Sequence, residues 1–212
     1  MAVEPDEESY AARRRAAIEA AAYAVLAEKG YKAASMLEIA RRAGASNETL
    51  YKWYGNKQRL FRALVTANAK RVTDKLSSVG PIKADADPAD LLEPIGVALL
   101  DMLTSDRAIA LNRAAAGDVH DTGTLGEALA KAGRETVLPQ ITTIIVQALD
   151  RGTLTGASPV EIATNWLALL VGDLQVRLVT GQAEAPDKAA QKERARSALV
   201  AIRTLYTDHG HS

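Results

Sequence analysis

Residues 46–57, SNETLYKWYGNK, hold the side chains of this chain whose types and spacing can do chemistry. Asn47, Glu48, Thr49 and Lys52 fall on the first turns of one short helix, where they can reach the edges of base pairs. An Asn amide suits adenine, a carboxylate can accept from the cytosine amino group, and a Thr methyl packs on the thymine methyl. Tyr51, Trp53 and Lys57 read as phosphate contacts, because an exposed Trp beside a Tyr is otherwise hard to justify on a small domain. The plainer alternative makes the polar group capping and solvent residues, with Trp53 packed under a neighbouring helix.

A helix of that length, about Asn47 to Trp53, is not stable alone and has to be held by others. Ser46 is a suitable N-cap. Leu50 and Tyr54 are the residues that would fasten it to a core. Just before it, Leu37, Ile39, Ala40 and Ala43 give a short helix one buried face, and Gly44 can leave that helix in a left-handed conformation. Two short helices joined by such a turn are what the DNA major groove accommodates. A first helix from about Tyr10 to Lys29 packs through Ala17, Ile18, Ala21, Ala22, Val25 and Leu26, and Gly30 closes it. Asn56 caps a long helix from Lys57 to about Ser78, with Leu60, Phe61, Leu64, Val65 and Ala69 on its apolar side.

Charge follows the same division. The net charge is zero over 212 residues, but residues 1–8 carry −4, residues 9–75 carry +9 and residues 76–212 carry −5. A basic amino-terminal third on an acidic remainder is expected when only one module meets phosphates. No cysteine is present, so disulfides and thiolate metal sites are excluded, and two of the three histidines, His209 and His211, lie at the frayed end. No metal or cofactor is expected. Paired catalytic carboxylates, a Ser/His/Asp set and a phosphate-cradling glycine loop are all missing, which argues against an enzyme. No apolar run approaches the roughly 20 residues of a membrane span and no signal-type segment opens the chain, so a cytoplasmic protein is expected.

Beyond the linker VGPIKADADP every periodic stretch is helical. The expected helices run from Asp87-Pro88 to about Leu103, from Asp106 to about Ala116, from about Leu125 to Leu149 with a break near Gly133 or Pro139, from Pro159 to about Thr180, and from Asp187 to about Thr207. Gly117 to Gly123 reads as a loop and a candidate mobile gate to an internal pocket. The Pro159–Thr180 stretch is apolar almost all round, so a second side needs a partner. The last helix offers a matching face in Ala190, Arg194, Ala198, Leu199, Ile202, Leu205 and Tyr206. A two-fold interface between copies follows, with Leu174, Ala198, Leu199 and Ile202 as its candidates.

The stretch IARRAGASNETLYKWYGNKQRLFRALV resembles the DNA-binding domain of TetR-family transcriptional regulators. The shared features are Ile39-Ala40, Ala43-Gly44, Ser46, the triplet Thr49-Leu50-Tyr51, the aromatic Tyr54, Lys57 and Leu60. The match covers about residues 10–65, and beyond it only length and the helical pattern agree. Ser35-Met36 stands where the family has two hydroxyls, so Ser35 is the one phosphate contact retained there. Glu48 replaces a small residue, and Gln58 an acid. The resemblance implies an all-α protein: an acidic arm at 1–9, a three-helix helix-turn-helix DNA-binding domain at 10–56, and a connecting helix with a larger C-terminal ligand-binding and dimerisation domain at 57–212. Ser35, Ser46, Asn47, Glu48, Thr49, Tyr51, Lys52, Trp53 and Lys57 are the expected DNA-contacting residues.

The resemblance further implies a homodimer that represses transcription from a palindromic operator. A small hydrophobic effector releases it by shifting the connecting helix. Met102, Asn112, Trp166, Leu170 and Asp173 are the candidates for an effector pocket, with His120, Arg113 and Arg177 nearby in character. Asp173 is the sharpest of these, because a carboxylate inside an apolar helix needs a partner; Arg177, four residues on, could be that partner without any ligand. A helical interaction adaptor, or a constitutive DNA binder without an effector, is the alternative.

Overall fold

A computed structural model describes residues 7–77 and 86–207. The acidic arm up to residue 6, the linker from Ser78 to Asp85, and His209 and His211 lie outside the described residues. Helices α1 (Glu7–Ala33), α2 (Met36–Arg42), α3 (Asn47–Tyr54) and α4 (Lys57–Ser77) come first. They are followed by α5 (Leu92–Leu103), α6 (Asp106–Asp118), α7 (Thr124–Ala132), α8 (Leu138–Asp150), α9 (Pro159–Val171), α10 (Leu174–Val179) and α11 (Lys188–Tyr206). No strand occurs among the described residues. The all-α expectation holds. The chain divides into two compact units, residues 1–67 with 110–129, and residues 68–109 with 130–212.

In the first unit α1 buries Ile18, Ala21, Ala22, Val25 and Leu26. Gly30, at φ 70°, breaks the helical path as expected, and one further turn follows it. Ser35 caps α2, accepting from the Glu38 amide at 3.3 Å. The buried face of α2 is Met36, Ile39 and Ala40, one helical stripe. Leu37, expected on that face, is 67% exposed, because it stands about 100° round the helix from Met36. An ion-pair cluster ties α1 to α2: Arg42 reaches Glu28 at 2.5 Å and Glu38 at 2.9 Å, and Lys29 reaches Glu38 at 2.5 Å. These donors hold both carboxyls below their ordinary range, Arg42 acting on Glu28, and Lys29 then Arg42 on Glu38.

The corner between α6 and α7, in the same unit, turns on Asp118, which is fully buried. Its carboxylate accepts from the Thr122 hydroxyl at 2.8 Å and from the Leu125 amide at 3.2 Å, so it caps the start of α7. The expected loop from Gly117 is therefore shorter, since α6 runs on to Asp118.

The second unit packs α5, α8, α9 and α11 around Leu92, Leu99, Ile141, Ile145, Trp166 and Ile202. Gly96 lets α5, α9 and α11 meet: a β-carbon there would stand 2.9 Å from Ala195 Cβ and 3.3 Å from the Trp166 ring. The expected Pro159–Thr180 helix is broken. Gly172, at φ 51°, ends α9, and α10 starts at Leu174. Arg194 of α11 caps the freed end, donating to the carbonyls of Leu170 at 2.5 Å and Val171 at 2.8 Å. A side chain at 172 would collide with that guanidinium, 2.8 Å away. The break expected near Gly133 or Pro139 is a wide π turn over Gly133–Val137. No helix among the described residues is long and apolar enough to cross a membrane.

Candidate nucleic-acid interface

Helix α3 is fastened at both ends and in the middle. Ser46 accepts from the Thr49 amide at 3.0 Å and pairs with the Thr49 hydroxyl at 2.7 Å. Leu50 is its one fully buried side chain. The Gly55 amide closes the far end on the Tyr51 carbonyl, at φ 77°, a conformation that favours glycine. Asn56 then starts α4 by accepting from the Arg59 amide at 2.8 Å, as its sequence position predicts.

Held this way, α3 presents Asn47, Glu48, Tyr51, Lys52 and Trp53 to the outside. Thr49 is half-buried, with its hydroxyl paired to that of Ser46. Ser46 and Ser35 are exposed at the two helix starts they cap. Tyr51 is 50% and Trp53 37% exposed. Such aromatic surface on a fastened helix is unusual unless something covers it.

Lys57 is placed differently from the other cations. It is half-buried, and its ammonium donates to the carbonyl of Tyr31 at 3.1 Å, at the last turn of α1. The same nitrogen stands 4.5 Å from the centre of the Tyr31 ring, which meets Phe61 edge-on at 5.3 Å. Burial, then the charges of Asp118 and Asp121, push the Tyr31 phenol up to about 12. Lys57 thus braces the unit that carries α3.

Comparison with known proteins settles the family. Residues 18–64 match the model for bacterial regulatory proteins of the tetR family, and residues 90–208 match the AefR-like transcriptional repressor C-terminal domain. The chain belongs to the TetR family of transcriptional regulators. A TetR transcriptional regulator from Agrobacterium tumefaciens is 34% identical, with 92% of this chain and 95% of that one covered and a TM-score of 0.72. A TetR-family regulator from Mesorhizobium loti is 26% identical, covering 92% and 98%, at a TM-score of 0.77. The flavonoid-responsive regulator FrrA, 23% identical with 94% and 100% covered, shares the fold at a TM-score of 0.73. Compared with curated proteins by sequence, the chain finds no match. TetR-family proteins are DNA-binding regulators of transcription, and α2–turn–α3 is the helix-turn-helix of this one.

On this TetR-family chain the other sequence candidates separate. Trp166 and Leu170 are buried in the second unit and Met102 is half-buried there, whereas Asn112 belongs to the first unit. Asp173 is exposed, because the helix expected to bury it stops at Val171, and its 4.0 Å pair with Arg177 lies at the surface. Leu174 is half-buried, while Ala198, Leu199 and Ile202 are at most 5% exposed inside their own unit. Their neighbours Val200 and Leu205 carry the open apolar surface of α11, at 56% and 62% exposed. Leu169 of α9 and Val176 of α10 are also exposed. Spacing along the last helix does not by itself say which of its two apolar stripes meets the chain's own core.

Proposed function

We propose that this TetR-family regulator represses transcription as a homodimer, setting one α3 in each of two major-groove half-sites, and that a small hydrophobic molecule in the second unit releases it. The observation that carries the DNA half of this reading is the exposed row Asn47, Glu48, Tyr51, Lys52 and Trp53 on a helix fastened from behind by Leu50. The roles assigned are Asn47, Glu48, Thr49 and Lys52 at base edges, and Ser35, Ser46, Tyr51, Trp53 and Lys57 toward phosphates. The exposed apolar side chains Val200, Leu205, Leu169 and Val176 support a second copy as partner.

The effector half rests on two orphaned polar atoms. Trp166 Nε1 and Gln191 Oε1 are buried with no hydrogen-bond partner among the described residues, and the Gln191 amide is oriented by its own bond to the Pro186 carbonyl at 3.0 Å. A buried donor or acceptor left unpaired costs about 1–3 kcal/mol, so a molecule offering an acceptor and a donor there gains from both. Favouring one dimer spacing by a few kcal/mol is enough to release DNA.

The test is a duplex selected from a random pool with the wild-type protein. Asn47→Ala binds it with a loss of roughly 1–3 kcal/mol and relaxed preference at one position per half-site. A variant that binds and discriminates like wild type rejects the docking. A thermal-shift screen of apolar compounds tests the effector: hits must also release the duplex and quench Trp166 in a Trp53→Phe background.

A further inference from the structure

Beside α3 lies a half-open groove of about 710 Å³, walled by Arg15 and Glu19 of α1, by Trp53, Tyr54 and Gly55 at the end of α3, and by Arg59 of α4. Lys52 also lines it, so three cations share the groove with one carboxylate. The cations are placed, not loose. The Arg15 guanidinium lies over the Trp53 ring, 5.7 Å from its centre. The Arg59 side chain runs across Gly55, with Nη1 3.3 Å from where a β-carbon would stand. Neither arginine has a carboxylate partner among the described residues, in contrast to Arg42 and Arg203, which are bidentate or doubly paired.

We propose that this groove seats a phosphodiester of the DNA backbone flanking the half-site, gripped by Arg15 and Arg59, with Trp53 as the positioning residue that presets Arg15. The occupant follows from charge and continuity. The groove shares Tyr51, Lys52 and Trp53 with the exposed row of α3, and two planar guanidinium groups among its lining suit a tetrahedral oxyanion. This rests on the DNA-binding reading above. It adds a contact from α1 and one from the interior of α4's first turn, and it explains why a Trp stays exposed where a base-edge contact has no use for it.

The experiment measures binding to the selected duplex over a salt series for wild type, Arg15→Gln, Arg59→Gln and Arg62→Gln. Arg62 is exposed on α4 and does not line the groove. Arg15→Gln and Arg59→Gln each lower the salt slope by about 0.9, with sequence preference unchanged. Arg62→Gln leaves the slope at the wild-type value. Trp53→Leu weakens binding more in the wild-type background than in Arg15→Gln, a coupling that a merely structural Trp would not give. An unchanged slope in Arg15→Gln and Arg59→Gln, an equal fall in Arg62→Gln, or additive losses for Trp53 and Arg15 overturns the groove. Wild-type protein that selects no duplex at all would instead reject the DNA docking itself.

Discussion

Lys57 holds the end of α1 through Tyr31: its ammonium donates to the Tyr31 carbonyl at 3.1 Å and sits 4.5 Å from the centre of the same residue's ring. One cation from the first turn of α4 therefore serves a helix end 26 residues earlier. A charged hydrogen bond contributes about 1.5–3 kcal/mol and a cation–π contact about 0.5–1 kcal/mol, so Lys57→Met is expected to lower the unfolding free energy by roughly 2 kcal/mol in urea titration. A variant as stable as wild type would leave phosphate contact as the residue's only role.

The two faces of α11 give opposite outcomes for neighbouring substitutions. Leu199→Glu puts a charge where the side chain is 5% exposed, and the chain is expected to unfold or lose several kcal/mol of stability. Val200→Glu, at a site 56% exposed, keeps the fold and shifts the sedimentation of the protein toward monomer. A dimer undisturbed by Val200→Glu and by Leu205→Glu together would move the proposed interface off this helix.

Gly96 is the tightest crossing in the second unit. Gly96→Ala forces Ala195 or Trp166 to move, because the added carbon falls 2.9 Å from Ala195 Cβ. Overpacking of this kind costs about 1–3 kcal/mol, to be read in thermal unfolding together with a shift of Trp166 emission in a Trp53→Phe background. A substitution without effect on either would mean that the three helices have slack there.

Acid should destabilise the chain through carboxyls that are held charged. The ammonium groups of Lys188 and Lys75 keep Asp101 below its usual range. Burial pushes Asp87 up, but the Ala89 amide, Thr153 and Arg203 outweigh it and its carboxyl also lies low. For a depressed carboxyl the stabilisation is complete above the unfolded value of about 3.9 and is lost as pH falls through the lower folded value. Urea midpoints measured from pH 6 down to pH 2 should fall most steeply below about pH 4, and Asp101→Asn should flatten that fall. An identical profile for Asp101→Asn and wild type would remove the pair as a source of acid lability.

What the sequence determined by itself was the local grammar. Ser35, Ser46, Asn56, Asp87 and Ser158–Pro159 mark helix starts, and Gly30, Gly55 and Gly181 mark ends, because caps and left-handed glycines act within a few residues. The helix-turn-helix was legible for the same reason. Its turn, its short second helix and its basic charge are all contained in about thirty consecutive residues.

The tertiary structure decided everything that depends on which side of a helix meets which neighbour. Leu37 and Leu199 exchange the roles that spacing suggested, one exposed and the other buried, since an apolar residue carries no mark of the face it will occupy. Gly172 could have been carried inside a longer helix. Only Arg194, arriving from α11 to take the Leu170 and Val171 carbonyls, stabilises the break that leaves Asp173 at the surface. Arg15 over Trp53 and Lys57 under Tyr31 are contacts between residues 38 and 26 positions apart. A periodicity read over a few turns reports neighbours along one helix and cannot reach across that distance; packing three helices around one core brings such pairs together.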